Sequence, residues 1–475
     1  MLKVLKPDIC IIGAGAAGLS VAAGAAQMGT SVVLIEKSLM GGDCLNYGCI
    51  PSKALLAAGH AAHEVKTADK FGVKVSASNI DFELVHQHVK SVITAIEPND
   101  SIERFMGLGV EVIIGQASFV SPKVLKVNNI EVRASRYVLA IGSEAFVPEI
   151  EGLDSINYYT NKTVFDLDEL PSVLTILGGG PIGVELAQAY NNLGSKVNIV
   201  ELETILSRED PDLVKEVRRS LVDSGVVVYE NTRSVNFAQV KDKVSLSFIH
   251  NKQTKTLKAS HILIACGRKV PSDVLKLSNA GIEHDGKSIT VDKSLRTSNS
   301  RVYALGDCVG HQQLTHVASY QASIVIRNIL FWQSTKVSYD HIPRVVYTNP
   351  ELAHVGLSEK DARAKYKDNV RILVWHFNET DRAIAELQTE GCIKVIIGTR
   401  GTILGCGIVG PLAGELIQLW VLAISQKLKI GAIAGMVSPY PTFGEASKRV
   451  AGQYYKPFLF STGMKKLVRF LAKFR

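Results

Sequence analysis

Two stretches of the chain share one pattern of hydrophobic and polar positions. Each has a short apolar run, a glycine-rich turn, a helical run and a second apolar run that ends in an acid. The first, "DICIIGAGAAGLSVA" followed by "SVVLIE", predicts a buried strand from Asp8 to Ile12, an alanine-rich helix and a strand ending at Glu36. The second, "SVLTILGGGPIGVELAQAYNNLGSKVNIVE", repeats this order and ends at Glu201. The sequence therefore predicts two strand–turn–helix–strand units.

Both units carry a Gly-x-Gly-x-x-Gly motif directly after the first strand. The glycines are Gly13, Gly15 and Gly18 in the first unit and Gly178, Gly180 and Gly183 in the second. Such glycines let the backbone approach a pyrophosphate, and the N-terminus of the following helix faces its charge. An acid about twenty residues further on suits a ribose hydroxyl. Two copies in complete structural context predict two dinucleotide sites.

The segment "GGDCLNYGCIPSK" raises the question whether Cys44 and Cys49 bind a metal, lie in the core or cycle as a disulfide. In a regular helix their Cα atoms would be roughly 8.7 Å apart, whereas a disulfide tolerates about 7 Å. The pair can bridge only where the backbone is distorted, and Gly48 allows distortion. Pro51 suits the first position of a new helix, whose N-terminus would stabilise a Cys49 thiolate. Cys49 is therefore predicted to be activated.

Composition narrows these alternatives. A chain of 475 residues, 46% hydrophobic and 21% charged, is typical of a globular protein of two to four domains. Of seven cysteines only Cys44 and Cys49 are close in sequence, and no cluster has zinc-like spacing. We therefore expect a catalytic disulfide in a reducing, cytoplasmic compartment, and no metal site. The stretch "LGCGIVGPLAGELIQLWVLAIS" is broken by Pro411 and Glu415, which predicts a strand and a core helix instead of a membrane span.

Several segments resemble motifs of the flavin-dependent pyridine nucleotide–disulfide oxidoreductases, from Asp8 to about Lys448. "GGDCLNYGCIPSKALL" resembles the redox-active segment of that family. Four further motifs are "YVLAIGSEAFVP" at the crossing between the FAD and NAD domains, "ILIACGRKVPS" at the close of the NAD domain, "TSNSRVYALGDC" at the second FAD contact and "VVYTNPELAHVGLSE" at the entry to the dimerisation domain. The resemblance implies an α/β homodimer with two Rossmann-like dinucleotide-binding domains, for FAD and NAD, and a C-terminal α+β dimerisation domain.

The implied domain boundaries follow the motifs. They give an FAD-binding domain in two parts (1–146 and 271–340), an NAD(P)-binding domain (147–270), a dimerisation domain (341–460) and a basic amphipathic C-terminal helix (461–475). No motif points to nucleic acid as a partner.

The resemblance also assigns roles to residues. FAD, tightly bound, would be held by Gly13, Gly15, Gly18, Glu36, Lys53, Gly142, Ser143 and Asp307. The nicotinamide nucleotide would be held by Gly178, Gly180, Gly183, Glu201 and Gly267. The catalytic set would be Cys44, Cys49, Lys53, Glu185, Tyr440 and Glu445, with Glu185 paired to Lys53. Electrons would pass from the nucleotide through FAD to Cys49, the sulfur nearer the flavin, and Cys44 would meet the acceptor.

Two substitutions within the motifs bear on cofactor choice and thiol chemistry. Glu201 can accept bonds from a free ribose hydroxyl but would repel a 2′-phosphate, and "ELETILSRED" lacks the two arginines of NADPH-using relatives. NADH is therefore expected in preference to NADPH. Asp43 stands where relatives commonly have threonine, and a neighbouring carboxylate should make Cys44 less acidic.

Tyr440 departs from the family motif in a way that bears on the choice of electron acceptor. Disulfide-reducing relatives carry His-Pro-Thr-x-x-Glu, whose histidine reaches across the dimer as acid and base; this chain reads "YPTFGE", with Glu445 kept. No histidine follows His376, and a tyrosine of pKa about 10 is a poor proton acceptor near neutral pH. Mercuric reductases also have tyrosine here, although their C-terminal vicinal cysteines are absent, Cys406 being the last cysteine.

We therefore expect a mercuric-reductase-like enzyme that delivers electrons to a metal ion or another small acceptor. The alternatives are a dihydrolipoamide-dehydrogenase-like disulfide oxidoreductase, a membrane-surface flavoprotein that reduces a quinone, and a flavin-loaded scaffold without physiological turnover.

The C-terminal segment "GMKKLVRFLAKFR" (463–475) predicts an amphipathic helix. At 100° per residue its apolar side chains share one side and its lysines the other. Eight basic residues and no acid follow Glu445, and the other 45 of the 53 Lys and Arg residues balance the 45 Asp and Glu residues. The net charge of +8 is thus concentrated in residues 446–475, which include this segment. The helix could pack on its own domain or dimer partner, or lie in an anionic membrane surface on the cytoplasmic side.

Overall fold

The computed structural model describes residues 3–76 and 79–474 and forms two compact units. The first comprises Met1–Gly178, Ala189–Val200 and Thr232–Val337. The second comprises Gly179–Gln188, Glu201–Asn231 and Ser338–Arg475. Among the helices within the described ranges, none has the length and apolar character needed to cross a membrane.

The described residues form 23 strands and 15 α-helices. The strands are β1 (Lys3–Leu5), β2 (Ile9–Ile12), β3 (Val32–Glu36), β4 (Val110–Ile114), β5 (Ala117–Ser121), β6 (Val124–Val127), β7 (Ile130–Val132), β8 (Arg136–Leu139), β9 (Glu144–Ala145), β10 (Val173–Leu177), β11 (Lys196–Val200), β12 (Val227–Tyr229), β13 (Arg233–Val240), β14 (Lys243–His250), β15 (Gln253–Ala259), β16 (His261–Ile264), β17 (Arg268–Lys269), β18 (Val302–Ala304), β19 (Arg344–Val346), β20 (Glu351–Gly356), β21 (Arg371–His376), β22 (Cys392–Ile397) and β23 (Ile403–Gly410). The α-helices are α1 (Ala16–Gln27), α2 (Gly42–Asn46), α3 (Cys49–Thr67), α4 (Phe82–Ile96), α5 (Ile102–Gly107), α6 (Pro181–Asn192), α7 (Pro211–Asp223), α8 (Thr315–Leu330), α9 (Glu359–Tyr366), α10 (Asp381–Ala385), α11 (Ala413–Ser425), α12 (Ile430–Gly435), α13 (Glu445–Gly452), α14 (Lys456–Leu459) and α15 (Thr462–Leu471).

The central sheet of the first unit is parallel, in the order β18-β8-β2-β3-β4. Because side chains alternate along a strand, Ile9 and Ile11 of β2 face a core that includes α1 and α8. Cys10 and Ile12 face the opposite core, which the small sheet β1-β7-β6-β5 covers. Burial on both faces explains the continuous apolar runs in the sequence.

The second predicted strand–turn–helix–strand repeat is also present. Strands β10 and β11 pair in parallel on either side of α6 in the chain, and β16 pairs in parallel with the other edge of β10. Strands β13, β14 and β15 form an antiparallel sheet inserted before β16. The two Rossmann-like folds expected from the glycine motifs are therefore confirmed.

The second unit is built on an antiparallel sheet in the order β19-β20-β23-β22-β21. Helices α11, α12 and α13 contribute to one core with this sheet, and the buried Trp420 donates to Ser447 Oγ at 3.2 Å. The stretch interrupted by Pro411 is strand β23 followed by helix α11, as predicted. The expected α+β domain is thus confirmed as a fold, whereas the individual domain boundaries stay predictions.

Candidate active site

The first glycine turn has the shape that a dinucleotide site requires. Gly13 adopts φ +104°, and a Cβ there would lie 2.3 Å from the carbonyl oxygen of Ala140. A Cβ at Gly18 would lie 1.9 Å from the oxygen of Gly13, so only glycine lets α1 pack against β2 this closely. At Gly15, in contrast, the nearest atom to a Cβ is Gly42 Cα at 3.8 Å. The turn is therefore open where a pyrophosphate would approach.

The second glycine turn repeats this arrangement. Gly178 adopts φ +111°, and a Cβ there would lie 2.4 Å from the oxygen of Ala265. No described atom lies within 4 Å of a Cβ at Gly180, and Gly183 is buried in α6. Gly267 has φ +115° and is similarly open among the described atoms. The backbone at Gly178, Gly180 and Gly267 is compatible with an approaching nucleotide, and the binding role of the predicted glycines stays a prediction.

Glu36, at the end of β3, is buried and holds the first turn. Its Oε2 accepts from the N–H of Ala14 at 2.7 Å, and its Oε1 accepts from the N–H of Ser38 at 2.8 Å. Each carboxylate oxygen keeps a further lone pair for a ribose hydroxyl. A cleft lies beside it, and its lining includes Ile12, Gly13, Ile35, Glu36, Ile141 and Leu275. Apolar walls next to an acid fit the adenosine end of FAD.

Glu201, at the start of the segment after β11, makes the same pair of contacts. Its Oε2 accepts from the N–H of Gly179 at 2.6 Å, and its Oε1 accepts from the N–H of Glu203 at 3.0 Å. The internal repeat seen in the sequence therefore extends to individual hydrogen bonds.

The cysteine-bearing segment packs directly on the first glycine turn. The N–H of Gly41 donates to the oxygen of Ala14 at 2.9 Å. A Cβ at Gly42 would lie 2.7 Å from Gly15 Cα, so the two backbones meet without side chains between them. This contact places the cysteines beside the site expected to hold FAD.

A break between two helices brings Cys44 and Cys49 together. Cys44 lies in α2, which ends before Gly48, and α3 begins at Cys49. Gly48 has φ −131° and ψ −109°, and a Cβ there would lie 3.0 Å from the oxygen of Asp43. The distortion expected at Gly48 is therefore present. The expected helix start at Pro51 is wrong by two residues, because proline is also tolerated at the third helical position, where no intrahelical N–H bond is made.

The two thiols differ in acidity. A hydrogen bond from Cys44 is the main cause that lowers the pKa of Cys49, to about 6, with smaller contributions from Thr315 and the Lys53 charge. Thr315 Oγ1 lies 3.3 Å from Cys49 Sγ. The same hydrogen bond, followed by burial, raises the pKa of Cys44 well above its ordinary value. Cys49 is thus the thiolate and Cys44 the proton donor of the reduced pair, as the predicted activation of Cys49 requires.

Asp43 belongs to a polar network that the sequence did not predict. Its carboxylate lies 3.0 Å from Arg268 Nη2 and accepts from Asn161 Nδ2 at 3.1 Å. Arg268 also donates to Ser143 Oγ at 2.6 Å, and Ser143 Oγ donates to Asp307 at 2.5 Å. The Asp43 charge contributes to the high pKa of Cys44 in the predicted direction, but it is the smallest of the raising causes.

The network also gathers three residues expected near FAD. Burial raises the pKa of Asp307, while its bonds to Ser143 and the charge of Arg268 oppose that rise. Gly142, which precedes Ser143, has φ +65° with no described atom within 4 Å of a Cβ. These residues are compatible with the expected contact to the ribityl chain of FAD.

Two further predicted catalytic residues are Lys53 and Glu185. Lys53 lies one turn along α3 from Cys49, and its positive charge lowers the pKa of that thiol. Glu185 is buried in α6 and accepts from the N–H of Tyr347 at 3.0 Å. The ion pair between them stays a prediction.

Tyr440 and Glu445 lie in the second unit and have different partners. The Tyr440 hydroxyl donates to Asp381 Oδ2 at 2.8 Å, and this bond raises the pKa of the tyrosine further. Glu445 opens α13 and accepts from Arg449 Nε at 2.8 Å. The hydroxyl that stands at the family's base position is therefore held as a donor by Asp381.

One cluster of acids has the spacing of a metal site. Carboxylates of Asp210, Asp212 and Glu359 converge in the second unit. The ammonium of Lys394 lies 2.7–2.8 Å from all three. We therefore interpret the cluster as an ion-pair network.

Four contributors to the site were not predicted from the sequence: Arg268, Thr315, Asn161 and Asp381. Arg268 lies within "ILIACGRKVPS", so its motif gave a signal. Thr315 is the first residue of α8, and the sequence could point to it only if the start of α8 were already known to lie beside Cys49. Asn161 and Asp381 act over separations of 118 and 59 residues, which no local pattern reveals.

Comparison with known proteins decides the family. Residues 7–322 match the family described as pyridine nucleotide-disulphide oxidoreductase, and residues 342–451 match its dimerisation domain. The chain belongs to this family. It is accordingly an NAD(P)H-dependent flavoprotein oxidoreductase that uses FAD, and its dimerisation domain supports a homodimer.

Individual relatives of this oxidoreductase fall into two groups by name. A mercuric reductase of Bacillus cereus is 32% identical over 447 residues, covering 93% of this chain and 70% of the relative. A dihydrolipoyl dehydrogenase of Geobacillus stearothermophilus is 34% identical over 457 residues, covering 94% and 96%. Among solved structures, a Cu(II) complex of the HOCl-induced flavoprotein disulfide reductase RclA from Escherichia coli has a TM-score of 0.84 and 27% identity, covering 94% of this chain and 99% of that one. Identity alone does not separate the two named activities.

Proposed function

We propose that this oxidoreductase passes electrons from NADH to a thiophilic metal ion at the Cys44–Cys49 pair, in the manner of a mercuric reductase. The observation that carries the proposal is Tyr440, which stands where disulfide-reducing relatives have the histidine base. Its hydroxyl donates to Asp381, so it is held as a donor with a raised pKa. A phenol in that state does not accept a proton near neutral pH.

The proton balance distinguishes the two kinds of acceptor. Reduction of a disulfide by two electrons yields two thiols, so two protons must reach the sulfurs. Reduction of a mercuric ion follows Hg²⁺ + NADH → Hg⁰ + NAD⁺ + H⁺, and no proton has to be delivered to a leaving sulfur. A site without a base at position 440 therefore suits the metal ion better than the disulfide.

The cysteine pair supplies the ligands that such an ion prefers. Thiolate sulfur binds soft metal ions strongly. Cys49, with a pKa of about 6, is ionised at neutral pH, and Cys44 loses its proton when a metal ion competes for its sulfur. FAD, when bound, supplies the two-electron carrier between the nicotinamide and this pair. Gly13, Gly15, Gly18 and Glu36 would hold it beside the cysteines.

The names of some relatives agree with this chemistry, although dihydrolipoyl dehydrogenases are 32–34% identical to this chain. Four curated relatives that are 30–32% identical are mercuric reductases. The RclA structures include complexes with Cu(II). We carry the metal ion over to this chain as the proposed substrate, because its own residue at position 440 agrees with it.

NADH is the proposed donor. Glu201 lies at the end of the second Rossmann-like strand pair, with both carboxylate oxygens already oriented by backbone N–H groups. A fixed negative charge at this point favours the free ribose hydroxyls and repels a 2′-phosphate.

The test is NADH oxidation by the FAD-loaded protein with four acceptors: a mercuric–thiol complex, lipoamide, glutathione disulfide and a soluble quinone. We expect turnover with the mercuric complex and little with either disulfide. Rapid lipoamide reduction would favour the dihydrolipoamide-dehydrogenase-like alternative, and quinone turnover independent of the cysteines would favour the quinone reductase. Any of these results without mercuric reduction would overturn the proposal.

A further inference from the structure

The C-terminal tail, which we define as residues 456–474, exposes an unusual amount of apolar surface. It comprises helices α14 and α15 and one further turn. The apolar side chains that are 47–75% exposed are Phe458, Leu459, Phe460, Leu467, Val468, Phe470, Leu471 and Phe474. No described residue of α14 or α15 is buried. The chain itself therefore does not cover this surface.

Helix α15, the longest element of the tail, is nevertheless well formed. The Ser461 hydroxyl caps the N-terminus of α15 by accepting from the N–H of Met464 at 3.2 Å. The rings of Phe470 and Phe474 pack edge to face, with centroids 5.1 Å apart. At 100° per residue, the apolar residues larger than alanine from 464 to 474 span about 160° of the helix, and the basic residues lie on the opposite side.

Charge identifies the partner that this surface fits. The tail contains Lys456, Lys465, Lys466, Arg469 and Lys473 and no acidic residue. All five basic side chains are exposed. A helix with phenylalanine and leucine on one side and cations on the other matches an interface between lipid tails and anionic headgroups. The tail of a second copy would bring the same positive charges against these, with no acid to pair them.

We propose that the C-terminal tail lies in the surface of a membrane that contains anionic lipids. The apolar side chains enter the boundary of the acyl chains, and the lysines and arginine contact the headgroups. Neither the length nor the hydropathy of the described helices allows a span, so the contact is peripheral. The inference goes beyond the proposed function and does not depend on which acceptor is reduced.

Cosedimentation of the FAD-loaded protein with vesicles tests the proposal. Vesicles of phosphatidylcholine alone are compared with vesicles that contain about 30% phosphatidylglycerol, whose anionic headgroups give the surface a negative potential. We expect binding to the anionic vesicles and little binding to the neutral ones. A variant with four charge reversals (K465E, K466E, R469E, K473E) should bind the anionic vesicles at least about 100 times more weakly. Each basic residue contributes a factor of about five to the affinity for an anionic membrane.

Two further variants separate charge from apolar contact. Replacing Leu467, Phe470 and Leu471 with glutamine keeps the charge and should also abolish binding. The matched control reverses four exposed lysines elsewhere (K241E, K243E, K252E, K255E), which changes the net charge equally and should leave more binding than the tail reversal does. Flavin content and NADH oxidation with a soluble acceptor verify that each variant is folded.

Three results would overturn the inference: equal binding to neutral and anionic vesicles, full binding by the charge-reversed tail, or a dimer that dissociates in the tail variants while the native protein ignores vesicles. The last result would show that the tail packs on a second copy of the chain in the dimer. Metal-ion reduction by a protein that ignores vesicles would overturn this inference alone and leave the proposed function standing.

Discussion

At the scale of single residues, Cys49 is the point where several effects meet. It is the first residue of a 19-residue helix, it receives a hydrogen bond from Cys44, and Thr315 Oγ1 lies 3.3 Å from its sulfur. Each of these favours the thiolate, whereas burial opposes it. The net result is a pKa lowered to about 6. The thiolate therefore dominates above pH 6 and is lost as the pH falls through that value.

Thr315 offers a way to test this account. Replacing Thr315 with valine removes the hydroxyl but keeps the shape, so the pKa of Cys49 should rise by about one unit. The reduced proteins are alkylated with iodoacetamide over pH 4–9 (a range of about two units or more on either side of the expected midpoint), and the modified cysteine is identified by mass spectrometry. Thr315→Ser is the control and should keep the native midpoint. Identical midpoints in the native protein and the valine variant would show that the hydroxyl does not act on this thiol.

The two cysteines should also separate flavin reduction from acceptor reduction. In Cys44→Ser and Cys49→Ser, turnover of the mercuric–thiol complex should fall at least about 100-fold because the dithiol is lost. NADH should still bleach the flavin absorbance of both variants in an anaerobic titration, since hydride transfer precedes the sulfur chemistry. A purified, FAD-loaded variant whose flavin NADH no longer reduces would contradict this order.

At the scale of elements, the same strand–turn–helix–strand arrangement with an acid on the turn occurs twice. In both Rossmann-like folds an acid accepts from the N–H of the residue after the first motif glycine. Glu36 is the last residue of its strand, and Glu201 directly follows its strand. The acid thus orients the turn, in addition to its proposed contact with the ribose. This double role means that a substitution of Glu201 changes both charge and turn geometry, and the two effects need separate controls.

Glu201 is the position expected to set the choice of donor. Glu201→Arg should raise kcat/KM for NADPH relative to NADH, because it removes a repulsion of about 1–4 kcal/mol for charges near 4 Å at dielectric constants of 80 to 20. Glu201→Gln is the control, since it removes the charge but keeps an oxygen for the N–H of Gly179. Steady-state kinetics with both nucleotides measure the ratio. If neither variant shifts it, donor selectivity resides in other residues.

The sequence predicts elements well where the pattern is local. The apolar runs of β2 and β10, the glycine turns and the break at Gly48 all follow from residues within a few positions of one another. The predicted start of α3 is two residues late because proline fits several positions in the first helical turn. The contacts of Asp43 with Arg268 and of Tyr440 with Asp381 depend on how distant elements pack, and no periodicity encodes them.

At the scale of the whole molecule, the second unit combines three features. It carries the family's dimerisation domain, the tyrosine that replaces the base, and the cationic tail. The resemblance to the family implies that the residue at position 440 serves the cysteine pair across the dimer. The identity of that one residue therefore bears on what the assembled protein can reduce.

The most direct test of the metal-ion proposal is a comparison of two acceptors in two proteins. We predict that the native protein has a kcat/KM for a mercuric–thiol complex at least about 100 times that for lipoamide. Tyr440→His should raise lipoamide reduction about tenfold or more, because Pro441, Thr442 and Glu445 keep the spacing of the family motif. Tyr440→Phe is the control and should not gain this activity. A native protein that reduces lipoamide at about 10 per second or faster, a rate typical of enzymes, would contradict the proposal.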